Sequence, residues 1–455
     1  MWIRHRSFRW LNDLSPVQLI VIFYGFAMLL ACILLGLPVA HKEGVELPFI
    51  DLLFTAVSAV SVTGLTVVNV TETFSVTGTF LIAFLLQFGG IGIMTLGTFI
   101  WIVMGKKIGL RERRLIMTDQ NQTHFQGMVR MMKQILLMIF TIEILGFLIL
   151  GTYYMQYFET WQEAYYQGFF ASVSATTNGG FDITGQSLIP FQRDYFVQFI
   201  HIVLIILGAI GFPVLIEVRD YLFSTTEQRK FMRFSLFTKL TTTTFVLLIV
   251  GGMILIILLE FNHFFAGKAW HEILFYSLFQ SITTRSAGLS TMDVSEFTEQ
   301  TELLMTALMF IGASPSSVGG GIRTTSFALV IIFLLTYARG QRTIRIFKRE
   351  VHDEDLIKAV VVSIMGVVTY FTAVTVVVAV EPFDVLEIMF EVASAFGTTG
   401  LSLGITPHLT TFSKIVLILL MFIGRVGILS FLFTFNKEKK KGKNYHYPTE
   451  RIIIG

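Results

Sequence analysis

Four short stretches of this chain offer one kind of chemistry. They are Ser61-Val62-Thr63-Gly64, Thr177-Asn178-Gly179-Gly180, Arg285-Ser286-Ala287-Gly288 and Gly397-Thr398-Thr399-Gly400. Small, hydroxyl-bearing or glycine residues dominate each, and a large apolar residue follows the last glycine. The final glycines are spaced 116, 108 and 112 residues apart. Turns of this composition present backbone carbonyls and hydroxyl oxygens that can replace the water shell of a bare cation. Glycine supplies backbone angles and close approaches that a Cβ would obstruct. No Asp or Glu lies within any of the four. An uncharged oxygen cage suits a large monovalent ion of the K⁺ type, whereas a divalent ion calls for carboxylates. Na⁺ and Rb⁺ are not excluded on this ground. A single such glycine is ordinarily a helix-packing contact in a membrane; four in register weigh against that reading.

A second landmark follows each turn: Gly89-Gly90-Ile91-Gly92, Gly208-Ala209-Ile210-Gly211, Gly312-Ala313-Ser314-Pro315 and Gly424-Arg425-Val426-Gly427. It begins 25, 28, 24 and 24 residues after the glycine of its turn. In the third copy the apolar run is then interrupted from Gly312 to Thr325, through Pro315, the triplet Gly319, Gly320, Gly321, and Arg323. Proline and a glycine triplet break an α-helix. A phosphate-cradling reading of the triplet is poor, since no strand precedes it. Arg425 is an intramembrane arginine, which is costly and marks a functional site by default; the alternative is a structural charge satisfied by carbonyls. Arg285 either faces the ion path or braces the turn from behind, against Glu272 or Asp293. Glu143, Glu217 and Glu391 are expected to snorkel or pair structurally, His201 to make a polar helix contact, and Asp51 and Asp384 to cap short helices. No spacing of paired Asp, His/Glu ligands or Ser/His points to catalysis.

The elements that must position these residues are membrane helices. Of the 455 residues 54% are hydrophobic and 14% charged, with a mean hydropathy of +0.70, against about 25% charged in soluble domains. That excludes an ordinary soluble enzyme and a disordered chain. The single Cys32 allows no intrachain disulfide. Spans are expected near 17–40, 76–104, 131–155, 195–223, 240–262, 301–337, 356–380 and 412–436. The first is read as a retained helix rather than a signal peptide. Lys and Arg number 3, 7, 5, 6 and 6 in segments 1–15, 105–133, 219–239, 338–358 and 435–455, which is 27 of the 34 in the chain. By the positive-inside rule these segments are cytoplasmic, and so are both termini. The basic runs also suit lipid headgroups; docking of a cytosolic partner is the lesser reading, and their dispersal argues against nucleic acid. Half-length apolar stretches at 49–62, 164–178, 271–285 and 384–398 read as re-entrant half-helices ahead of each turn.

The expected fold is an all-α polytopic membrane protein of four parallel helix–pore-loop–helix repeats. Eight transmembrane helices and four half-helices would surround one pore with pseudo-fourfold symmetry about the membrane normal. Its parts are a cytoplasmic N-terminus (1–15), repeat 1 (16–104), a basic linker (105–130), repeat 2 (131–223), a linker (224–238), repeat 3 (239–337), a linker (338–355), repeat 4 (356–436) and a basic tail (437–455).

With these motifs over residues 15–436, the chain resembles the Trk/Ktr/HKT superfamily of potassium transporters, and within it the bacterial Ktr-type membrane subunit. The resemblance implies that Gly64, Gly180, Gly288 and Gly400 stand for the filter glycines of tetrameric potassium channels. Gly64, where sodium-transporting plant relatives carry serine, implies potassium. It implies an intramembrane gating loop at 312–326, with Arg425 facing the pore beneath the filter; relatives often have a more Gly/Ala/Thr-rich run ending in Lys there, where this chain has Pro315 and Arg323. It also implies K⁺ uptake across a bacterial plasma membrane, a homodimer, and a cytosolic ring of nucleotide-binding (RCK-type) regulatory subunits. Nucleotide would bind only that partner, Na⁺ could act as activator, and no covalent cofactor is expected. The alternatives are a Na⁺-coupled symporter or a sodium-permeable transporter of the same architecture.

Overall fold

A computed structural model of the protein describes residues 14–92, 128–341 and 343–434, with Thr95, Gly97, Leu115, Met117 and Glu450. The expectations for residues 1–13, for most of 93–127 and for the basic tail lie outside the described residues.

The helices follow the local signals. Helix α1 (Pro16–Leu35) starts with a capping box between Ser15 and Gln18 and proline in its first turn, and stops at Gly36. Then come α2 (Phe49–Ser61) and α3 (Val76–Ile91), the latter capped by Ser75. Helices α4 (Met128–Tyr154), α5 (Trp161–Thr176) and α6 (Tyr195–Ala209) follow, with α7 (Phe212–Phe223) bent 107° from α6. Next are α8 (Leu236–Glu260), α9 (Trp270–Thr283), α10 (Glu299–Phe310) and α11 (Thr324–Ala338). The chain closes with α12 (Asp353–Val378), α13 (Val385–Gly397), α14 (Thr411–Val426) and α15 (Ile428–Thr434). Asp353, Glu354 and Asp355 in the first turn of α12 complement the positive end of its dipole. A two-residue hairpin, β1 (Arg345–Ile346) with β2 (Arg349–Glu350), departs from an all-helical chain.

Among the described residues, α1, α4, α8 and α12 are each long and apolar enough to cross a membrane, and the bent pair α6–α7 would make a fifth. The expected even-numbered spans are shorter as single helices because each breaks at the second landmark. The sequence led us to expect an interruption only in the sixth span. Gly92, Gly211 and Gly427 take φ of +98°, +101° and +89°, so α3, α6 and α14 all end beside a glycine in a conformation other residues rarely adopt. Pro315 holds the corresponding place in the third copy, where α10 ends at Phe310 and residues 311–323 form a loop.

Large apolar side chains cover the outer faces, and small polar ones lie inside beside an apolar core. Phe26, Leu29 and Ile33 on α1, Leu247, Leu255 and Leu258 on α8, and Ile357, Ile364 and Phe371 on α12 are exposed. Ser58, Thr63, Thr177, Asn178, Ser286, Thr398 and Thr399 are buried. Apolar outer faces of this extent suit lipid. Each second helix packs on the next short helix: α3 on α5, α6 on α9, α10 on α13, and α14 back on α2. The contacts therefore close in a cycle with the four short helices inside it.

Candidate permeation site

Helices α2, α5, α9 and α13 each deliver one of the four turns. At every turn the residue two before the glycine is also left-handed: Val62 at φ +58°, Asn178 at +52°, Ser286 at +78° and Thr398 at +48°. The glycines follow at +90° (Gly64), +66° (Gly180), +70° (Gly288) and +96° (Gly400). A β-branched residue such as Val62 or Thr398 in this region is strained, and strain of about 1–3 kcal/mol persists only where surrounding structure imposes it. The same pattern at four turns 108 to 116 residues apart is the mark of a built site.

The four glycines meet. A Cβ placed on Gly64 would lie 2.7 Å from Gly180 Cα, and one on Gly180 3.2 Å from Gly288 Cα. One on Gly288 would lie 3.0 Å from Gly400 Cα, and one on Gly400 3.0 Å from Gly64 Cα. Carbonyls complete the pattern. Gly179 O faces Gly64, Ala287 O faces Gly180, Thr399 O faces Gly288 and Thr63 O faces Gly400. Thus the residue before each glycine turns its oxygen toward the preceding turn's glycine. The expected residues come together in one closed ring of backbone oxygens.

Hydroxyls brace the turns from the short helices. Ser58 Oγ accepts from Gly64 N at 3.1 Å and Ser394 Oγ from Gly400 N at 3.0 Å. Ser174 Oγ donates to Phe181 O at 2.6 Å, and Thr283 Oγ1 to Leu289 O at 2.5 Å. These braces are missing from the expected residues. Their signal was a serine six positions before three of the glycines, with Thr283 serving where Ile282 breaks the pattern.

The second landmark works by packing. A Cβ on Gly89, Gly208 or Gly424 would lie within 2.2 Å of Val60 O, Thr176 O or Phe396 O, so each lets a helix rest on the short helix of its own unit. Gly312 differs, because it faces Gly320 O of the 311–323 loop. That loop lies against all four units. Ser314 N donates to Ala209 O at 3.2 Å and Phe212 N to Ser316 O at 2.8 Å. Gly320 N donates to Ser286 Oγ at 3.4 Å, and that hydroxyl donates to Thr398 O at 2.6 Å. Gly319 and Gly320 sit where a Cβ would strike Ser286 Oγ and Thr398 Oγ1, which brings Gly319, Gly320 and Gly321 directly against the third and fourth turns. Arg323 donates to Ser314 O at 3.4 Å and also to Gly319 O. Arg425 donates to Val318 O in the loop and to Gly89 O and Gly90 O at the end of α3.

Two expectations are corrected. Arg285 is fully buried and its guanidinium donates to Leu308 O on α10, behind the ring. Glu272 and Asp293, expected as its partners, instead accept from Ala269 N and Ser295 N. Asp51 does not cap α2, whose N-cap position is Pro48; it lies within the first turn and pairs with Lys414 Nζ at 2.7 Å across to α14. Asp384 does form a capping box, with Glu387. The three acids expected to snorkel or pair are structurally paired: Glu143 with Gln87 at 2.5 Å, Glu217 with Ser235 N at 3.0 Å and Glu391 with Thr406 Oγ1 at 2.8 Å. His201 Nδ1 meets Val197 O of its own helix at 2.8 Å.

The Asp51–Lys414 pair fastens the first short helix to the fourth unit. Its side chains are only 16% and 9% exposed, so truncating one strands the other charge. Lys414→Met is expected to destabilise the chain by about 3 kcal/mol, and Asp51→Asn with Lys414→Met together to recover part of it. Thermal unfolding in detergent reads both; equal midpoints for the three chains would refute the coupling. Beside the pair, burial works against the Glu381 carboxylate, but hydrogen bonds from Ser413 and Thr410 and the Lys414 charge outweigh it and hold Glu381 below the usual carboxylate range.

Known proteins resemble the chain over nearly its full length. The family described as TrkH, Cation transport protein, matches residues 28–447. The Ktr system potassium uptake protein D of Bacillus subtilis is 60% identical over 98% of each chain, and the Ktr system potassium uptake protein B of the same organism 34% over 99% of each. The potassium/sodium uptake protein NtpJ of Enterococcus hirae is 33% identical over 97% of this chain and 98% of its own. The crystal structure of the potassium transporter TrkH from Vibrio parahaemolyticus superimposes with a TM-score of 0.73, covering 95% of this chain and 86% of that one at 19% identity.

Proposed function

The chain belongs to the TrkH family of cation transport proteins, and from that premise we propose that it takes up K⁺ as the translocating subunit of a Ktr-type system. Membership makes it a multi-pass membrane transport protein rather than an enzyme. The observation that carries the finer reading is the closed ring, in which four left-handed glycines each face the carbonyl of the next turn. Four parallel repeats around one pore account for that ring and for the cyclic packing of second helices on short helices.

In this reading residues 61–64, 177–180, 285–288 and 397–400 form the selectivity filter. Their carbonyls exchange for the water shell of K⁺, whose transfer into a low-dielectric interior would otherwise cost on the order of tens of kcal/mol. Arg285 contributes its backbone there, while its side chain holds the turn to α10. The loop around Gly312, Pro315, Gly319, Gly320, Gly321 and Arg323 is the gate, and Arg425 is its latch. Lys and Arg on alternate connections support both termini being cytoplasmic, in a reading that sets the chain in a bacterial plasma membrane. The names of the Bacillus relatives support a Ktr system; the homodimer and the separate cytosolic nucleotide-binding ring are part of this reading by family resemblance. The name of the Enterococcus relative favours a second reading, with Na⁺ as activator or co-permeant.

Rb⁺ uptake into liposomes holding the purified chain tests the proposal. Uptake should be blocked by excess external K⁺ and much less by Na⁺. Liposomes loaded with K⁺, in K⁺-free outer medium and with the partner ring added, that take up Rb⁺ no faster than protein-free ones would refute it.

A further inference from the structure

Beneath the 311–323 loop lies a cavity of about 450 Å³. Its lining comes from α1, α3, α8, α11, α12, α14 and α15. The charged side chains in it are Arg323, Arg425, Lys358 and the single carboxylate Asp355. Asp355 is matched by Lys358 at 3.7 Å, each 59% exposed. The two guanidiniums deeper in are matched by no carboxylate within 4 Å among the described residues. They reach the carbonyls of adjacent residues, Arg425 that of Val318 and Arg323 that of Gly319. Two like charges are thus held close together, and Arg425 is 7% exposed with its Nε lacking any partner.

One further feature adds positive potential. Helix α11 begins at this cavity, with Thr325 and Ser326 of its first turn in the wall and no side chain capping it. The first residues of α8, Leu236 and Phe237, line it as well, but that helix end is capped by Ser235 and held by the Glu217 carboxylate, so it adds no free positive end. Helix N-termini favour anions, and guanidiniums bind phosphate oxygens in pairs. The volume holds one phosphate group with several waters at about 30 Å³ each.

We propose that this cavity binds a phosphate-class oxyanion between Arg323, Arg425 and the start of α11. The anion competes with Val318 O and Gly319 O for guanidinium donors, so its occupancy loosens the loop; that consequence rests on the gating reading above, whereas the site does not. Free phosphate from the cytosol and the phosphate of a lipid headgroup share the required chemistry.

The test uses the full chain in phosphatidylcholine nanodiscs at low ionic strength, with ³²P-orthophosphate in equilibrium dialysis. One saturable site per chain is expected, weakened about tenfold or more in Arg323→Gln and largely retained in Arg323→Lys, which keeps the charge. Nanodiscs doped with phosphatidylglycerol separate the sources. Displacement of orthophosphate by the lipid, or lipid retained by the wild-type chain and lost from Arg323→Gln, supports the site with a headgroup as occupant. Equal binding by wild type and Arg323→Gln, or no binding of either phosphate or phosphatidylglycerol, overturns it. Rb⁺ flux with and without phosphate is measured in parallel. Arginine-dependent binding with phosphate-insensitive flux overturns the latch consequence and supports the site, so the two failures are distinguishable.

Discussion

Replacing Gly64 by serine is expected to lower the K⁺-over-Na⁺ flux ratio by about tenfold or more, equivalent to about 1.4 kcal/mol of discrimination. The argument is steric first. Gly64 sits at φ +90°, and a Cβ there would lie 2.7 Å from both Gly179 O and Gly180 Cα. Those are backbone atoms of the neighbouring turn, which cannot swing aside as a side chain can. The second turn must therefore move, and Gly179 O moves with it. The added hydroxyl then supplies an oxygen at a different position and distance from the carbonyl it displaces. A site tuned by the number and field of its oxygens loses preference for the larger ion when one is replaced in this way. Gly64→Ala separates the two effects, since it brings the clash without the oxygen; it should lose K⁺ flux and gain no Na⁺ flux. Gly25→Ala is the control, because Gly25 has nothing within 4 Å of a Cβ. Paired K⁺ and Na⁺ fluxes in liposomes decide the matter. An unchanged ratio in Gly64→Ser would remove residue 64 from the ion path.

The four glycines were legible because each lies at the end of a half-length apolar run and recurs at nearly constant spacing. Their partners were legible only as types. Nothing in Thr63 or Ala287 announces that its carbonyl faces the preceding glycine, since that contact joins residues over 100 positions apart and depends on the ring closing. The left-handed conformations of Val62 and Thr398 were invisible for the opposite reason: β-branched residues locally disfavour them, and only tertiary packing imposes them. Gly92, Gly211 and Gly427 stood in plain view, yet hydropathy runs straight across them, so the breaks they cause were seen only where Pro315 and the glycine triplet made one obvious. The acidic partners sought for Arg285 were chosen for charge and proximity in sequence. The backbone carbonyl of Leu308 met it instead, because a helix end behind the ring offered an acceptor that no residue type reveals.

Arg425→Ala carries the second large effect, a rise in Rb⁺ uptake of about tenfold or more. Its guanidinium ties three elements together: α14 that bears it, the loop through Val318 O, and the end of α3 through Gly89 O and Gly90 O. Hydrogen bonds to a charged donor contribute about 1.5–3 kcal/mol each. If only the bond to Val318 is confined to the closed loop, its loss still shifts the open fraction by about tenfold. On that premise the bonds to α3 hold whether the loop is closed or open, and they govern stability rather than flux. Arg425→Lys should fall between, since a point charge cannot span the loop and α3 as a planar fork does. The same substitution removes one positive charge from below the ring, and that change also favours cation passage. The two contributions part with ionic strength: screening weakens the charge effect while leaving the loop's hydrogen bonds largely intact. A rise that persists at high salt assigns the effect to the latch. Uptake that stays level while the melting temperature falls would mean that Arg425 holds structure alone.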